Sequence, residues 1–137
     1  MRNKLTHGDR LHYQNIWLAC GCLLLFVIIY SSLTSAPIPL PNINMADKYA
    51  HITAYCALMG WFGQLYKTKY QLTLFVIGFI LMGVSLEYLQ GMTGYRTFDY
   101  ADMAANTVGV LLGLLLTRTL FAGFLAGIEH KLGVVHH

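Results

Sequence analysis

The fold is decided by residues 87–106, Glu-Tyr-Leu-Gln-Gly-Met-Thr-Gly-Tyr-Arg-Thr-Phe-Asp-Tyr-Ala-Asp-Met-Ala-Ala-Asn. This stretch lies between two apolar runs that are each long enough to cross a bilayer. Its ionisable residues are Glu87, Arg96, Asp99 and Asp102. Ionisable groups at membrane depth are costly unless they are paired or face a cavity. We therefore expect the rest of the chain to supply partners for these four side chains.

The composition is typical of a membrane protein. Apolar residues make up 56% of the 137 residues, and charged residues make up only 11%. A soluble domain of this size cannot bury so much apolar surface, so lipid must cover part of it. The formal net charge of +3 is too small to indicate binding to nucleic acid. We expect a single membrane domain over residues 1–137, with the lipid bilayer as its main partner and no oligomeric state indicated.

Four apolar runs predict an all-α fold, a four-transmembrane-helix bundle. The predicted helices span residues 16–36, 48–66, 72–90 and 100–121. The first run also resembles a secretory signal peptide, but its long apolar core and Pro37 favour a retained helix. The second run is the least hydrophobic, which indicates a helix surrounded mostly by protein. Residues 122–137 predict a short interfacial helix or a disordered end.

Basic residues near the helix ends predict the orientation. With the N-terminus in the cytoplasm, seven of the nine basic residues lie inside and two lie outside, as the positive-inside rule requires. The seven are Arg2, Lys4, Arg10, Lys67, Lys69, Arg118 and Lys131, and the two are Lys48 and Arg96. We therefore expect both termini in the cytoplasm and the unusual polar residues on the outer side of the membrane.

Polar residues recur at helical spacing on the second, third and fourth predicted helices, with one stripe on each. Asp47, His51 and Tyr55, for example, stand at i, i+4 and i+8. If the three stripes converge, they form one polar pocket that opens outward. The stripes and their two neighbouring cations comprise Asp47, Lys48, His51, Tyr55, Glu87, Gln90, Arg96, Asp99, Asp102 and Asn106.

These residues resemble the motifs of the VanZ-like family of bacterial membrane proteins. The motifs are Asp47-Lys48-x-x-His51-x-x-x-Tyr55, Glu87-x-x-Gln90 and Arg96-x-x-Asp99-x-x-Asp102-x-x-x-Asn106-x-x-Gly109. They follow the family's order, and the resemblance covers residues 30–120. It implies a small multi-pass protein of the bacterial cytoplasmic membrane with an outward-facing ligand-binding site at these positions. The family is named after a factor for resistance to the glycopeptide teicoplanin, which implies a link to the cell envelope and to antibiotic resistance.

Two non-catalytic interpretations of the polar residues remain open. In the structural one, ion pairs and helix caps lock the helices together. In the recognition one, the pocket binds an envelope component, such as a glycopeptide or a lipid-linked precursor. Two cations, Lys48 and Arg96, stand against four acids, which leaves surplus negative charge. The four acids are Asp47, Glu87, Asp99 and Asp102. The surplus calls for a protonated carboxylate, a protonated His51, a bound metal or a cationic ligand.

The third interpretation is catalysis on a lipid-linked envelope substrate. His51 would act as a general base, or a divalent metal would be held by His51, Glu87, Asp99 and Asp102. Oxygen-rich ligands with one histidine suit magnesium, manganese or zinc. No zinc-protease or serine-hydrolase motif is present, and no cofactor motif is evident. Whether the protein is an enzyme is therefore left open by the sequence.

Overall fold

The computed structural model describes residues 11–36, 39 and 45–133. In these residues the regular structure is entirely helical, which confirms the predicted all-α class for the described part of the chain. The helices are α1 (Gln14–Leu33), α2 (Ala46–Leu65), α3 (Lys69–Met92), α4 (Tyr100–Arg118) and α5 (Phe124–Lys131).

Three of these helices, α1, α3 and α4, are long and apolar enough to cross a membrane. The α2 helix has the same length as α1, but its first turns carry Asp47, Lys48 and His51, which lower its hydropathy. Seven residues of α2, from Tyr55 to Leu65, are buried, against two in α1. The second helix therefore lies among the others, while α1 exposes most of its apolar surface.

The helix ends follow local capping signals. The α3 helix begins at Lys69, earlier than the predicted residue 72, because Thr68 Oγ1 accepts a hydrogen bond from the Gln71 N–H at 3.2 Å. Asp99 Oδ1 caps α4 in the same way, accepting from the Ala101 N–H at 2.8 Å. The α4 helix ends at Arg118, before the predicted residue 121. The chain then turns into α5.

The α2 and α4 helices run parallel and form the most closely packed pair in the described structure. Gly109 and Gly113 of α4 lie directly against the backbone of α2. A Cβ atom added at these positions would lie 2.5 Å from the carbonyl oxygens of Ile52 and Cys56, respectively. The small residues spaced four apart on α4 thus allow the two backbones to approach, as in other membrane helix pairs.

The α1 and α3 helices flank this pair and run in the opposite direction. Phe62 of α2 packs against Phe75 and Phe79 of α3, with ring centroids 5.0 and 5.5 Å apart. Trp61 near the end of α2 donates from Nε1 to the backbone oxygen of Trp17 at the start of α1, at 2.9 Å. The beginnings of α2 and α4 therefore share one end of the bundle with the ends of α1 and α3. We call this the polar end.

The α5 helix closes the opposite end of the bundle. Its Glu129 is fully buried and accepts hydrogen bonds from the backbone N–H groups of His12 and Tyr13 at 2.8 and 2.9 Å. A third comes from Trp17 Nε1 at 2.7 Å. His12 and Tyr13 directly precede the first residue of α1, so this carboxylate fastens α5 to the segment that leads into α1. Of the two alternatives for the tail, the described part of residues 122–137 forms the helix, and residues 134–137 lie outside the described range.

Candidate functional site

Lys48 lies at the centre of the polar end. Its ammonium donates to Asp47 Oδ2 at 2.8 Å, to Asp99 Oδ2 at 2.6 Å and to Asp102 Oδ1. The side chains of Lys48 and Asp102 are only 15% and 10% exposed. An ammonium has three donors, and here each one meets a carboxylate. The contact joins the first turn of α2 to the first turn of α4.

The charges around Lys48 are not balanced within the cluster. Three carboxylates around one ammonium leave two negative charges uncompensated if all three acids are ionised. The Lys48 ammonium, helped by the Ala101 N–H, holds the pKa of the Asp99 carboxyl below its ordinary value. Part of the surplus negative charge expected from the sequence is therefore matched by Lys48, and part is not.

His51 stands one turn beyond Asp47, between α2 and α4. Its Nδ1 lies 2.9 Å from Asn106 Oδ1, and its Nε2 lies 3.6 Å from Asp102 Oδ2. Both ring nitrogens can donate only when the imidazole is protonated. A protonated His51 would supply a second positive charge to the acids around Lys48. The ring is already oriented by two side chains of α4.

The polar residues of α3 hold neighbouring segments in place. Glu87 Oε1 accepts from the Asp99 N–H at 2.7 Å, and the Glu87 side chain is buried. Gln90 Nε2 donates to the Ser32 backbone oxygen at 2.9 Å. Glu87 thereby fixes the residue that caps α4, and Gln90 fixes the end of α1. All three predicted stripes meet at the polar end.

A cavity of about 350 Å³ opens beside this cluster, between α1, α2 and the end of α3. Its polar lining includes five of the ten residues singled out from the sequence. These are Asp47, His51, Tyr55, Gln90 and Arg96. Lys48, Glu87, Asp99, Asp102 and Asn106 lie behind this surface and hold it in place. Five of the predicted site residues thus line the cavity, and the other five form the support behind this lining.

Two groups on the cavity wall lack partners in the described structure. The side chain of Tyr55 is 1% exposed, and its hydroxyl has no hydrogen-bond partner among the described residues. Arg96 forms no ion pair with any residue in the described ranges. The structural interpretation predicts ion pairs for both cations, and only Lys48 forms them here. Buried polar groups are usually paired, so the Tyr55 hydroxyl requires another explanation, whereas the partly exposed guanidinium of Arg96 is open to a ligand.

The sequence did not identify the contribution of α1. Leu24, Val27, Ile28 and Ser31 of α1 line the cavity opposite α2. The α1 helix is apolar on all sides, so no periodic pattern indicates which of its faces meets the pocket. Only the order of the helices could have suggested that α1 lies beside α2.

The four predicted metal ligands already make other contacts. Within residues 11–36, 39 and 45–133, no three His, Cys, Asp or Glu side chains gather as ligands for one metal ion. Lys48 occupies the space between Asp99 and Asp102 that a cation would take, and Glu87 is bonded to the Asp99 backbone. A divalent metal held by His51, Glu87, Asp99 and Asp102 requires Lys48 to move, and it stays a prediction.

Comparisons with known proteins identify relatives of this chain. A family model described as VanZ/LLP1 matches residues 9–122. An uncharacterized protein of Schizosaccharomyces pombe is 34% identical over 111 residues, a match that covers 77% of this chain and 66% of the relative. The chain thus spans slightly less than two thirds of that relative's length. No solved structure matches it. Because the relative is fungal, the bacterial cytoplasmic membrane stays a prediction.

Proposed function

Because the chain belongs to the VanZ/LLP1 family, as its motifs indicated, we propose that it is a membrane protein whose cavity binds an amphipathic molecule of the cell envelope. In this proposal four helices cross the membrane and the polar end faces outward. The α1, α3 and α4 helices cross as apolar spans. The α2 helix crosses with them because Gly109 and Gly113 hold it parallel to α4.

The distribution of basic residues supports this orientation. Four basic residues stand at the end of the bundle opposite the polar end, where helices α2 and α4 finish and α3 begins. They are Lys67, Lys69, Arg118 and Lys131. By the positive-inside rule, that end lies in the cytoplasm. Three further basic residues, which would add to the same side, lie outside the described range. They are Arg2, Lys4 and Arg10.

The observation that carries the proposal is the contrast between the two walls of the cavity. Asp47 and Arg96 border it at the polar end, whereas Leu24, Val27 and Ile28 of α1 form an apolar wall. Pockets for small ligands combine an apolar lining with a few placed polar groups. A ligand with a polar head and an apolar chain would match both walls at once.

The size of the cavity favours a lipid-linked ligand over a glycopeptide. Its volume of about 350 Å³ lies at the lower end of the 300–1,000 Å³ range of small-molecule pockets. That space fits a headgroup and the beginning of a chain rather than a whole glycopeptide. Val27 on the α1 wall is 45% exposed, so a chain lying there can continue into the bilayer. Antibiotic resistance would then be an indirect effect on an envelope lipid.

Catalysis has no comparable support. Both nitrogens of His51 face oxygen atoms of α4, and Lys48 fills the space between Asp99 and Asp102. A general base or metal centre at these residues would need the cluster to rearrange. Binding needs no such change.

Native mass spectrometry of the protein purified from its own membrane in mild detergent tests the proposal. Ala54 lines the cavity, so Ala54→Leu fills part of it. Ala104 is exposed on α4, and Ala104→Leu serves as the matched control. We expect the wild type and Ala104→Leu to retain a bound amphiphile that Ala54→Leu loses at an unchanged melting temperature. Absence of any bound amphiphile, or equal retention by both variants, would contradict the proposal.

A deletion strain extends the test to the cell. We expect deletion to change the profile of lipid-linked envelope precursors and the sensitivity to envelope-active compounds. Expression of the wild type should restore both, and expression of Ala54→Leu should not. An unchanged profile together with unchanged sensitivity would count against a role in the envelope.

A further inference from the structure

Two opposite charges border the cavity without pairing with each other. Asp47 and Arg96 both line it, yet no ion pair within 4.0 Å joins them. The Asp47 side chain is 52% exposed, and its ammonium partner Lys48 is shared with Asp99 and Asp102. The negative charge of Asp47 is therefore only partly compensated. Arg96 has no ionic partner in the described ranges at all.

This arrangement discriminates between classes of headgroup. A purely anionic headgroup near Arg96 would also approach Asp47 and the uncompensated acids behind it. A purely cationic headgroup near Asp47 would approach the guanidinium of Arg96. Like charges brought together in this way act against the wrong ligand. A headgroup that carries both charges meets an opposite charge at each position.

We infer that the ligand is a zwitterionic amphiphile, with an anionic group bound by Arg96, a cationic group bound by Asp47 and a chain lying against α1. This inference rests on the proposed function and names its ligand class. The fork of a guanidinium matches a phosphate in two parallel hydrogen bonds. The half-exposed carboxylate of Asp47 suits an ammonium. A phosphodiester bearing a primary amine, as in phosphatidylethanolamine, has this chemistry.

The position of Tyr55 fits the same ligand. Tyr55 lies on the stripe of Asp47 and His51, about 12 Å further along α2 at 1.5 Å per residue. It lines the cavity beyond the charged groups. The ester groups that join the headgroup to its chains would lie at this level. The Tyr55 hydroxyl itself is closed off from the cavity, so Tyr55 serves as wall and not as a hydrogen-bond donor to the ligand.

The test uses the delipidated full-length protein and two probes with identical acyl chains, phosphatidylethanolamine and the anionic phosphatidylglycerol. Dissociation constants are measured by native mass spectrometry for the wild type, Asp47→Asn and Arg96→Gln. Lys131→Gln is the control, because Lys131 is an exposed cation at the opposite end. Melting temperatures establish that each variant is folded.

We expect the wild type and Lys131→Gln to bind phosphatidylethanolamine at least about tenfold more tightly than phosphatidylglycerol, the effect of one good charged contact. Arg96→Gln should weaken both probes, since both carry phosphate. Asp47→Asn should weaken only phosphatidylethanolamine, so that the preference disappears.

Equal wild-type affinity for both probes, or a preference that survives Asp47→Asn, would overturn the zwitterionic inference. Binding of neither probe by a folded wild type that co-purifies with another amphiphile would also overturn it, while leaving the proposed function intact. The proposed function itself is tested separately, by the experiment with Ala54→Leu.

Discussion

The ammonium of Lys48 lies 2.6 Å from Asp99 Oδ2, and this ion pair joins the first turn of α2 to the residue that caps α4. The pair belongs to the support behind the cavity rather than to its lining. The structural and recognition interpretations therefore apply to different parts of the same motifs, and Asp47 belongs to both because it pairs with Lys48 and lines the cavity. Lys48 and the acids around it hold α2 and α4 together. Within the described ranges, Arg96 has no ionic partner and the Tyr55 hydroxyl has no hydrogen-bond partner.

The ion pairs around Lys48 predict how strongly each substitution in this cluster lowers the melting temperature. Lys48→Met should lower the melting temperature most, because it leaves three carboxylates without their shared cation. Asp102→Asn should follow, since the Asp102 side chain is 10% exposed, and Asp47→Asn should matter least, at 52% exposed. Thermal denaturation in one detergent measures all three. Equal losses for Asp47→Asn and Lys48→Met would show that Lys48 does not act as the common partner.

The lowered pKa of Asp99 predicts a loss of stability in acid. A carboxyl whose pKa is lower in the folded state stabilises the fold above its ordinary pKa, and that contribution disappears as the pH falls through the lowered value. The melting temperature should therefore decrease from about pH 5 downward. Asp99→Asn keeps a good capping side chain and should show a smaller decrease. An identical acid profile in this variant would contradict the ion pair.

The contact between α2 and α4 predicts that a methyl group cannot be tolerated there. Gly109→Ala and Gly113→Ala each place a Cβ 2.5 Å from a backbone oxygen of α2, and we expect each to cost about 1–3 kcal/mol of unfolding free energy. Gly78→Ala is the control, because nothing lies within 4 Å of its added Cβ. It should be neutral or stabilising. Comparable losses at Gly78 and Gly109 would indicate that α4 does not approach α2 so closely.

The buried Glu129 predicts that α5 is fastened to the start of α1. Glu129→Ala removes the acceptor of two backbone N–H groups and of Trp17 Nε1, and hydrogen bonds to a charged group contribute about 1.5–3 kcal/mol each. We expect faster tryptic cleavage at Lys131 and a shifted Trp17 emission spectrum. His130→Ala changes an exposed neighbour and should do neither. Unchanged cleavage in Glu129→Ala would show that other contacts hold α5.

The residues of the polar end could be identified from the sequence because the patterns that indicate them are local. Charged residues are rare in this chain, and the spacing of Asp47, His51 and Tyr55 places them on one face whatever the tertiary structure. The ion pairs that Lys48 forms at the polar end could not be predicted. Periodicity gives the face of Lys48 but not the position of the loop before Asp99, so three carboxylates around one ammonium were not foreseen.

Other features carry no sequence signal at all. The α1 helix is apolar all round, so its rotation toward the cavity depends on packing. Glu129 serves backbone donors that lie 116 and 117 residues earlier in the chain, and a lone acid in a mixed tail gives no indication of such partners. The lack of an ion pair between Arg96 and any other described residue likewise depends on where the turn after α3 directs its side chain.

The central claim is that an amphiphile lies between α1 and α2 at the polar end. Photo-cross-linking tests it most directly, with a phospholipid that carries a diazirine near the start of its chain, followed by peptide mapping. We predict adducts on Leu24, Ile28 and Ala54, which line the cavity, and loss of these adducts in Ala54→Leu. Adducts confined to exposed α3 residues such as Leu74 and Leu81 would contradict the claim, because those side chains report only the surrounding lipid.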